Sequence, residues 1–341
     1  MAQAPRVPIL SRSMPNLRSV LLVLAGLALS GAAIAVIGRS VDVPSAVRLL
    51  VGGNLAAEAM AIAVLAVGIV IRTARWRLFL PPVDGRRISL PRLLPVLLVG
   101  YLGNAILPAR LGEAVRAVVV SRREQVGVPE SVGSVALERV VDTAVLAILG
   151  FLASVLLATP SWLVGGTAIV AGGSAMILAL LLTAGPRLVD WLSRVSGSRG
   201  AQLGSRFLRV ASATDRPALA LGILLTIGAW SMDVLLYSLA ARAIGIELGP
   251  AQTLVIVAAA SLGTIIPSAP GYIGTFELAA SGAAVAVGVS AAPALALAIL
   301  VHLLTLVPLV LGGLASGVAL GVDVRIAATS RTGHATGAPR A

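Results

Sequence analysis

Along the chain, long apolar runs alternate with short polar stretches rich in arginine. The one-sided apolar stripe of a soluble helix is largely missing, and the runs approach the ~20 residues that cross a ~30 Å hydrocarbon core. Six runs read as full membrane spans: Val20 to Ile37, Leu50 to Ile71, Val135 to Ala158, Trp162 to Ala184, Ala218 to Ala241 and Pro293 to Leu320. Two more, 93–120 and 254–288, are broken in the middle by Pro and Gly. Their first arms of about 15 residues reach only ~22 Å, so each is expected to form a re-entrant helical hairpin. The predicted tips contain Asn104, Pro108 and Gly112 in the first, and Pro267, Pro270, Gly271 and Gly274 in the second. The expected fold is an all-α polytopic membrane protein of about six full spans plus two re-entrant hairpins, about eight if the hairpins are counted as spans.

The broken runs resemble each other. Leu102-Gly103-Asn104-Ala105-Ile106-Leu107-Pro108, with Gly112-Glu113 after it, parallels Leu262-Gly263-Thr264-Ile265-Ile266-Pro267, with Gly274 and Glu277 after it. Three spans and one hairpin in each half, at about 18–160 and 161–320 and in opposite orientation, would make an inverted repeat. Paired segments of this kind point to a transport site at the bilayer midplane. Flanking the membrane domain, 1–17 reads as an N-terminal segment and 321–341 as a disordered tail. The first apolar run is longer than the ~7–15 residues of a signal-peptide core, so it is read as an uncleaved helix.

Charge sets the expected orientation. All 26 basic side chains are Arg, against 14 acids, for a net charge of +12. With six spans, 20 of the 26 arginines fall on one side, which the positive-inside rule makes cytoplasmic. Both termini are then expected in the cytoplasm and the protein in the bacterial inner (plasma) membrane. The basic excess thus reads as membrane topology rather than nucleic-acid binding. Arg72, Arg75 and Arg77 are assigned to the loop after the second span, and the basic stretch from Arg187 to Arg216 is a candidate for an interfacial helix.

With 58% hydrophobic and 12% charged residues and a mean hydropathy of +1.00, soluble enzyme folds are excluded. The absence of cysteine excludes disulfides, thiolate metal sites and cysteine nucleophiles. No phosphate-binding P-loop, G-x-S-x-G elbow or metal-ligand spacing is present, so no cofactor, no metal and no intrinsic catalysis are expected.

Ionisable groups inside a membrane are costly and therefore candidates for function. Arg110, Glu113 and Arg116 share a helix face if the second arm of the hairpin is already wound at Arg110. With the free N–H groups of that arm, the two arginines would form a pocket for a phosphate, balanced by Glu113 when empty. Glu138, Arg139 and Asp142 open the next span and could partner that Arg pair. Asp233 lies mid-span and needs a partner, and Glu277 sits where it could cap a half-helix or take up a proton. Glu58 and His302 are weaker candidates; a lone His next to Thr305 reads as a helix-to-helix hydrogen bond.

Four ordered motifs, Arg72-Thr73-Ala74-Arg75-Trp76-Arg77, Leu102-Gly103-Asn104 through Arg116, Glu138-Arg139-Val140-Val141-Asp142 and Pro270 through Glu277, resemble the lysylphosphatidylglycerol synthase transmembrane region, the flippase-like membrane part of the multiple peptide resistance factor. The resemblance covers roughly Leu17 to Leu320. It implies lipid translocation and carries over to Arg110, Glu113, Arg116, Glu138, Arg139, Asp142 and Glu277. Only about 20 polar, Gly/Ala-rich residues follow the last span, so the synthase domain is expected to be absent. Expected partners are membrane lipids with anionic headgroups, a separately encoded synthase or glycosyltransferase, and a second copy of the chain. The rival expectation is an accessory, lipid-presenting subunit or a membrane-embedded transferase.

Overall fold

The computed structural model describes residues 17–107, 110–185, 187, 204–206, 208, 210, 214–266 and 268–321. The tips Pro108 and Pro267, the terminal segments and most of the 187–216 stretch lie outside the described residues. The described residues form α-helices and short turns, with no strand beyond an isolated bridge between Val83 and Arg86.

Helix α1 (Leu17–Ser40) turns by 91° into α2 (Val43–Val51). Asn54 then caps α3 (Leu55–Phe79), its side chain accepting from Ala56 and Ala57. The second span therefore starts later and ends later than the hydropathy indicates: Leu50 belongs to α2, while Arg72, Arg75 and Arg77 continue α3 rather than forming a loop. Arginine is a good helix former, and these side chains have partners that hydropathy cannot register. Removing Arg72 and Arg75 from the loop leaves the charge asymmetry with its sign unchanged.

The first broken run becomes α4 (Leu90–Ile106) and α5 (Leu111–Glu124), followed by α6 (Val128–Leu156) and α7 (Ser161–Thr183). After α8 (Arg216–Ala243), the second broken run becomes α9 (Pro250–Gly263), a 3-10 turn at Pro270–Tyr272 and α10 (Thr275–Ala286), and α11 (Ala291–Ala319) closes the bundle. Among the described residues five helices are long and apolar enough to cross a membrane, and six if the bent α1–α2 pair is one span. The chain is an all-α polytopic membrane protein.

The contacts among α3, α4, α5 and α6 and those among α8, α9, α10 and α11 correspond when the two sets are exchanged, whereas the contact of α7 with α6 has no counterpart at α1 among the described residues. Helix α3 packs along α8, α4 against α11 and α9 against α6, while each broken run packs arm to arm and onto the long helix that follows it. Small residues allow these approaches, as expected where lipid removes the hydrophobic drive between helices. A Cβ at Gly150 of α6 would lie 2.5 Å from Ala258 of α9, and one at Gly313 of α11 would lie 2.6 Å from Leu102 of α4. Both glycines are the twenty-third residue of a 29-residue helix.

Candidate functional site

Each broken run reverses through a backbone that helices do not adopt. Arg110, the N-cap of α5, is left-handed at φ 55°, ψ 30°, and Gly274, the N-cap of α10, has φ 90°. A left-handed non-glycine costs roughly 1–2 kcal/mol, and such strain persists where surrounding contacts hold it. Arg110 therefore does not share the helical face of Glu113 and Arg116, because the arm starts winding only at Leu111. The two guanidiniums do not converge.

Arg116 turns instead into a buried cluster built by α3, α5 and α6. Its Nη2 donates to Glu138 at 2.7 Å, and its guanidinium lies 4.8 Å from the centre of the Trp76 ring. Arg75, fully buried, donates to Glu138 and to Asp142, both at 2.6 Å, and to Thr226 of α8 at 3.3 Å. Arg139 lies 3.0 Å from Glu138, 3.2 Å from Asp142 and 3.6 Å from Glu113. Three guanidiniums thus face three carboxylates. The cluster balances its own charge, with each Glu138 oxygen held by a cation.

Arg72 pairs with Asp233 across the α3–α8 contact and stacks 5.6 Å from the Trp230 ring centre. Each is the eighteenth residue of its helix, so this pair sits where the exchange of halves maps a position onto its partner. Glu113 and Glu277 are both the third residue of a short second arm, and Arg139 and His302 both the twelfth residue of the following long helix. Where the first half pairs Glu113 with Arg139, the second pairs Glu277 with His302 Nδ1 at 2.5 Å. Glu277 also caps its arm, accepting from the Gly274 N–H at 2.6 Å. The helix-to-helix hydrogen bond of His302 therefore goes to Glu277, while the Thr305 hydroxyl donates to backbone carbonyls of its own helix. Glu58 stands in the first turn of α3, outside these clusters.

Between the two broken runs lies a cavity of about 270 Å³. Its lining brings Arg72, Arg110, Glu113, Arg139, Asp142 and Asp233 together with all three tyrosines of the chain, Tyr101, Tyr237 and Tyr272, and with the apolar side chains of Leu65, Ile69, Leu146, Leu306 and Leu309. A smaller cavity of about 120 Å³ adjoins it, and Asn104, Arg110, Thr264, Ile265 and Tyr272 wall both. Arg110 spans this wall from one tip to the other: its Nε donates to the Thr264 carbonyl at 3.2 Å, its Nη2 bonds the Thr264 hydroxyl, and its guanidinium lies 5.8 Å from the Tyr272 ring centre. Gly112 fixes the first hairpin, since a Cβ there would lie 2.0 Å from the Gly100 carbonyl oxygen. Among the described residues no cluster of three or more His, Asp or Glu is placed to hold a metal.

Residues 23–313 match a known membrane family, the lysylphosphatidylglycerol synthase TM region. The chain belongs to that family. Within it the match runs from α1 into α11 and takes in both broken runs and the cavity. The chain is 25% identical to glycosyltransferase AglD of Haloferax volcanii, over 92% of this chain and 57% of that protein, so it spans little more than half of that relative's length. It is 28% identical to a UPF0104 membrane protein of Methanothermobacter thermautotrophicus, over 62% of this chain and 68% of that one.

Arg72 and Arg75 are the residues that sequence reasoning passed over as site candidates. A signal existed: three acids in apolar surroundings, Glu138, Asp142 and Asp233, require cations, and Arg72 and Arg75 directly continue the second apolar run.

Proposed function

We propose that the protein moves a phosphate-bearing lipid, a phospholipid or a polyprenyl-linked lipid, between membrane leaflets. The observation that carries this reading is the cavity itself, where Arg110 bridges the two helix breaks within a lining that mixes charged and apolar side chains. A lipid phosphate would engage the guanidinium and the free N–H groups at the start of α5, and its chains would lie along Leu65, Ile69, Leu306 and Leu309. Equivalent positions in the two halves, Arg72 with Asp233 and Glu113 with Glu277, support an inverted repeat whose halves rock about this site. In this reading both broken runs re-enter the side they left, the termini are cytoplasmic and the membrane is the bacterial plasma membrane.

The Glu113–Arg139 and Arg72–Asp233 pairs line the cavity and would exchange partners as the halves move, while the deeper Arg75, Arg116 and Glu138 brace the helices. Transport runs downhill or is coupled to an ion, and the Glu277–His302 pair, which ties the second arm to the long helix that follows it, is the candidate site for a coupling proton. Fluorescent phospholipids and a polyprenyl phosphate in proteoliposomes test the proposal. Leaflet exchange that falls at least tenfold in Arg110→Gln, with the variant monodisperse, supports it, and exchange equal to protein-free liposomes for every lipid rejects it. A relative named as a glycosyltransferase favours a second reading, in which the same cavity presents a lipid to a separately encoded transferase. Lipid binding without exchange would select that reading.

A further inference from the structure

Counting charge around the cavity gives a sharper result than the presence of arginines. Arg75, Arg116 and Arg139 are matched by Glu113, Glu138 and Asp142, and Arg72 is matched by Asp233. Glu277 stands behind the lining, held by His302 and the Gly274 N–H. Arg110 differs from the other guanidiniums of the wall: its partners, the carbonyl and hydroxyl of Thr264 and the side chain of Tyr272, carry no charge. The position equivalent to Arg110 in the second half is Gly274, which contributes no charge. The facing helix breaks thus offer one unmatched cation where strict symmetry would supply two.

A medium of low dielectric magnifies any excess charge, so a ligand that brings one negative charge is favoured over one that brings two. We propose, building on the transport reading, that this site selects a lipid phosphodiester carrying a single net negative charge, bound at Arg110, over phosphomonoester and pyrophosphate lipids. Thr264 is the placeholder: its oxygens occupy the guanidinium in the empty site, and the anionic oxygens of the phosphodiester replace them with stronger, charge-assisted bonds. Because Arg110 and Thr264 also wall the smaller cavity, that exchange removes a tie between the two tips and joins the two spaces. Asp233 acts as a selectivity residue by masking Arg72.

Binding to the full chain in nanodiscs of neutral lipid tests this with fluorescent phosphatidylglycerol, phosphatidic acid and a polyprenyl pyrophosphate as probes. Phosphatidylglycerol is expected to bind at least tenfold more tightly than the other two at pH 8. Raising the pH from 6 to 9 should weaken phosphatidic acid, a phosphomonoester that gives up its second proton over that range, and leave phosphatidylglycerol, a phosphodiester with a single ionisation, unchanged. Asp233→Asn, which unmasks Arg72, should shift the ratio at least tenfold toward phosphatidic acid; the wild-type comparison decides the matter if that variant does not fold. Equal or tighter binding of the dianionic lipids to the wild type overturns the charge selection and leaves the transport reading standing. Failure of every anionic lipid to bind, together with absent exchange, removes both. Competition by glycerophosphoglycerol or inorganic phosphate as effective as by the lipid would show a site for a soluble anion and overturn the lipid assignment.

Discussion

Glu138 receives three guanidiniums, from Arg75, Arg116 and Arg139, with no exposed surface of its own. Removing one member of such a buried set leaves uncompensated charge, with losses of roughly 3–5 kcal/mol, while replacing charges together with apolar groups of similar size is far milder. Glu138→Gln is therefore expected to lower thermal stability sharply, measured as the monodisperse fraction after heating in detergent. Glu138→Met combined with Arg75→Met should recover part of the loss. His302 invites the opposite experiment. Arginine at this position reproduces the pairing of the first half, in which the charge on the base is fixed. If the Glu277–His302 pair carries the coupling proton, an imposed pH gradient should change the exchange rate of the wild type and not that of His302→Arg; an equal response in both would place the coupling site elsewhere.

At the scale of elements, the broken runs are held by backbone-to-backbone contact. Gly112 lets α5 lie against α4, and a methyl group there would press on the Gly100 carbonyl. Gly112→Ala should therefore destabilise by more than the roughly 1–3 kcal/mol typical of overpacking, or abolish folding. Gly165→Ala, in open space on α7, should be neutral or stabilising by about 0.5–1 kcal/mol. Thermal unfolding of the two variants side by side checks both. The breaks themselves were legible in the sequence because Pro and Gly stand out in apolar runs. The conformation of Arg110 was not. Helical spacing gave no warning that the arm begins one residue later, and that offset frees Arg110 from the helix face of Arg116 and lets it reach the opposite tip.

The whole molecule is organised by pairings that join distant parts of the chain. Arg75 meets Glu138 over 63 residues and Arg72 meets Asp233 over 161. Hydropathy recovers the long helices because burial in lipid is a property of each run alone. It places the two arginines in a loop because their solvation comes from partners that a window of one span does not contain. Reversing the Arg72–Asp233 pair should keep much of the contact, since both residues occupy the same position in helices that pack on each other. The double variant Arg72→Asp with Asp233→Arg is expected to be more stable than either single change by about 0.5–3 kcal/mol, read from a double-mutant cycle of thermal unfolding.

That spacing also bears on how the protein enters its membrane. Helix α3 leaves the ribosome with Arg72 and Arg75 uncompensated in its C-terminal third, each adding part of the ~2.5–3.5 kcal/mol that an arginine costs at a helix centre. Glu138 and Asp142 are synthesised more than 60 residues later, and Asp233 more than 150 residues later. Until then the long arginine stems can snorkel to the near interface only if α3 sits shallow or stays with the insertion machinery. Arrest of synthesis at increasing lengths should therefore record a pull on the nascent chain as α6 enters and again as α8 enters, with the second pull reduced in Arg72→Leu, which leaves α8 itself unchanged. Biogenesis would then proceed by deferred commitment of an early helix, its final depth set by acids encoded far downstream.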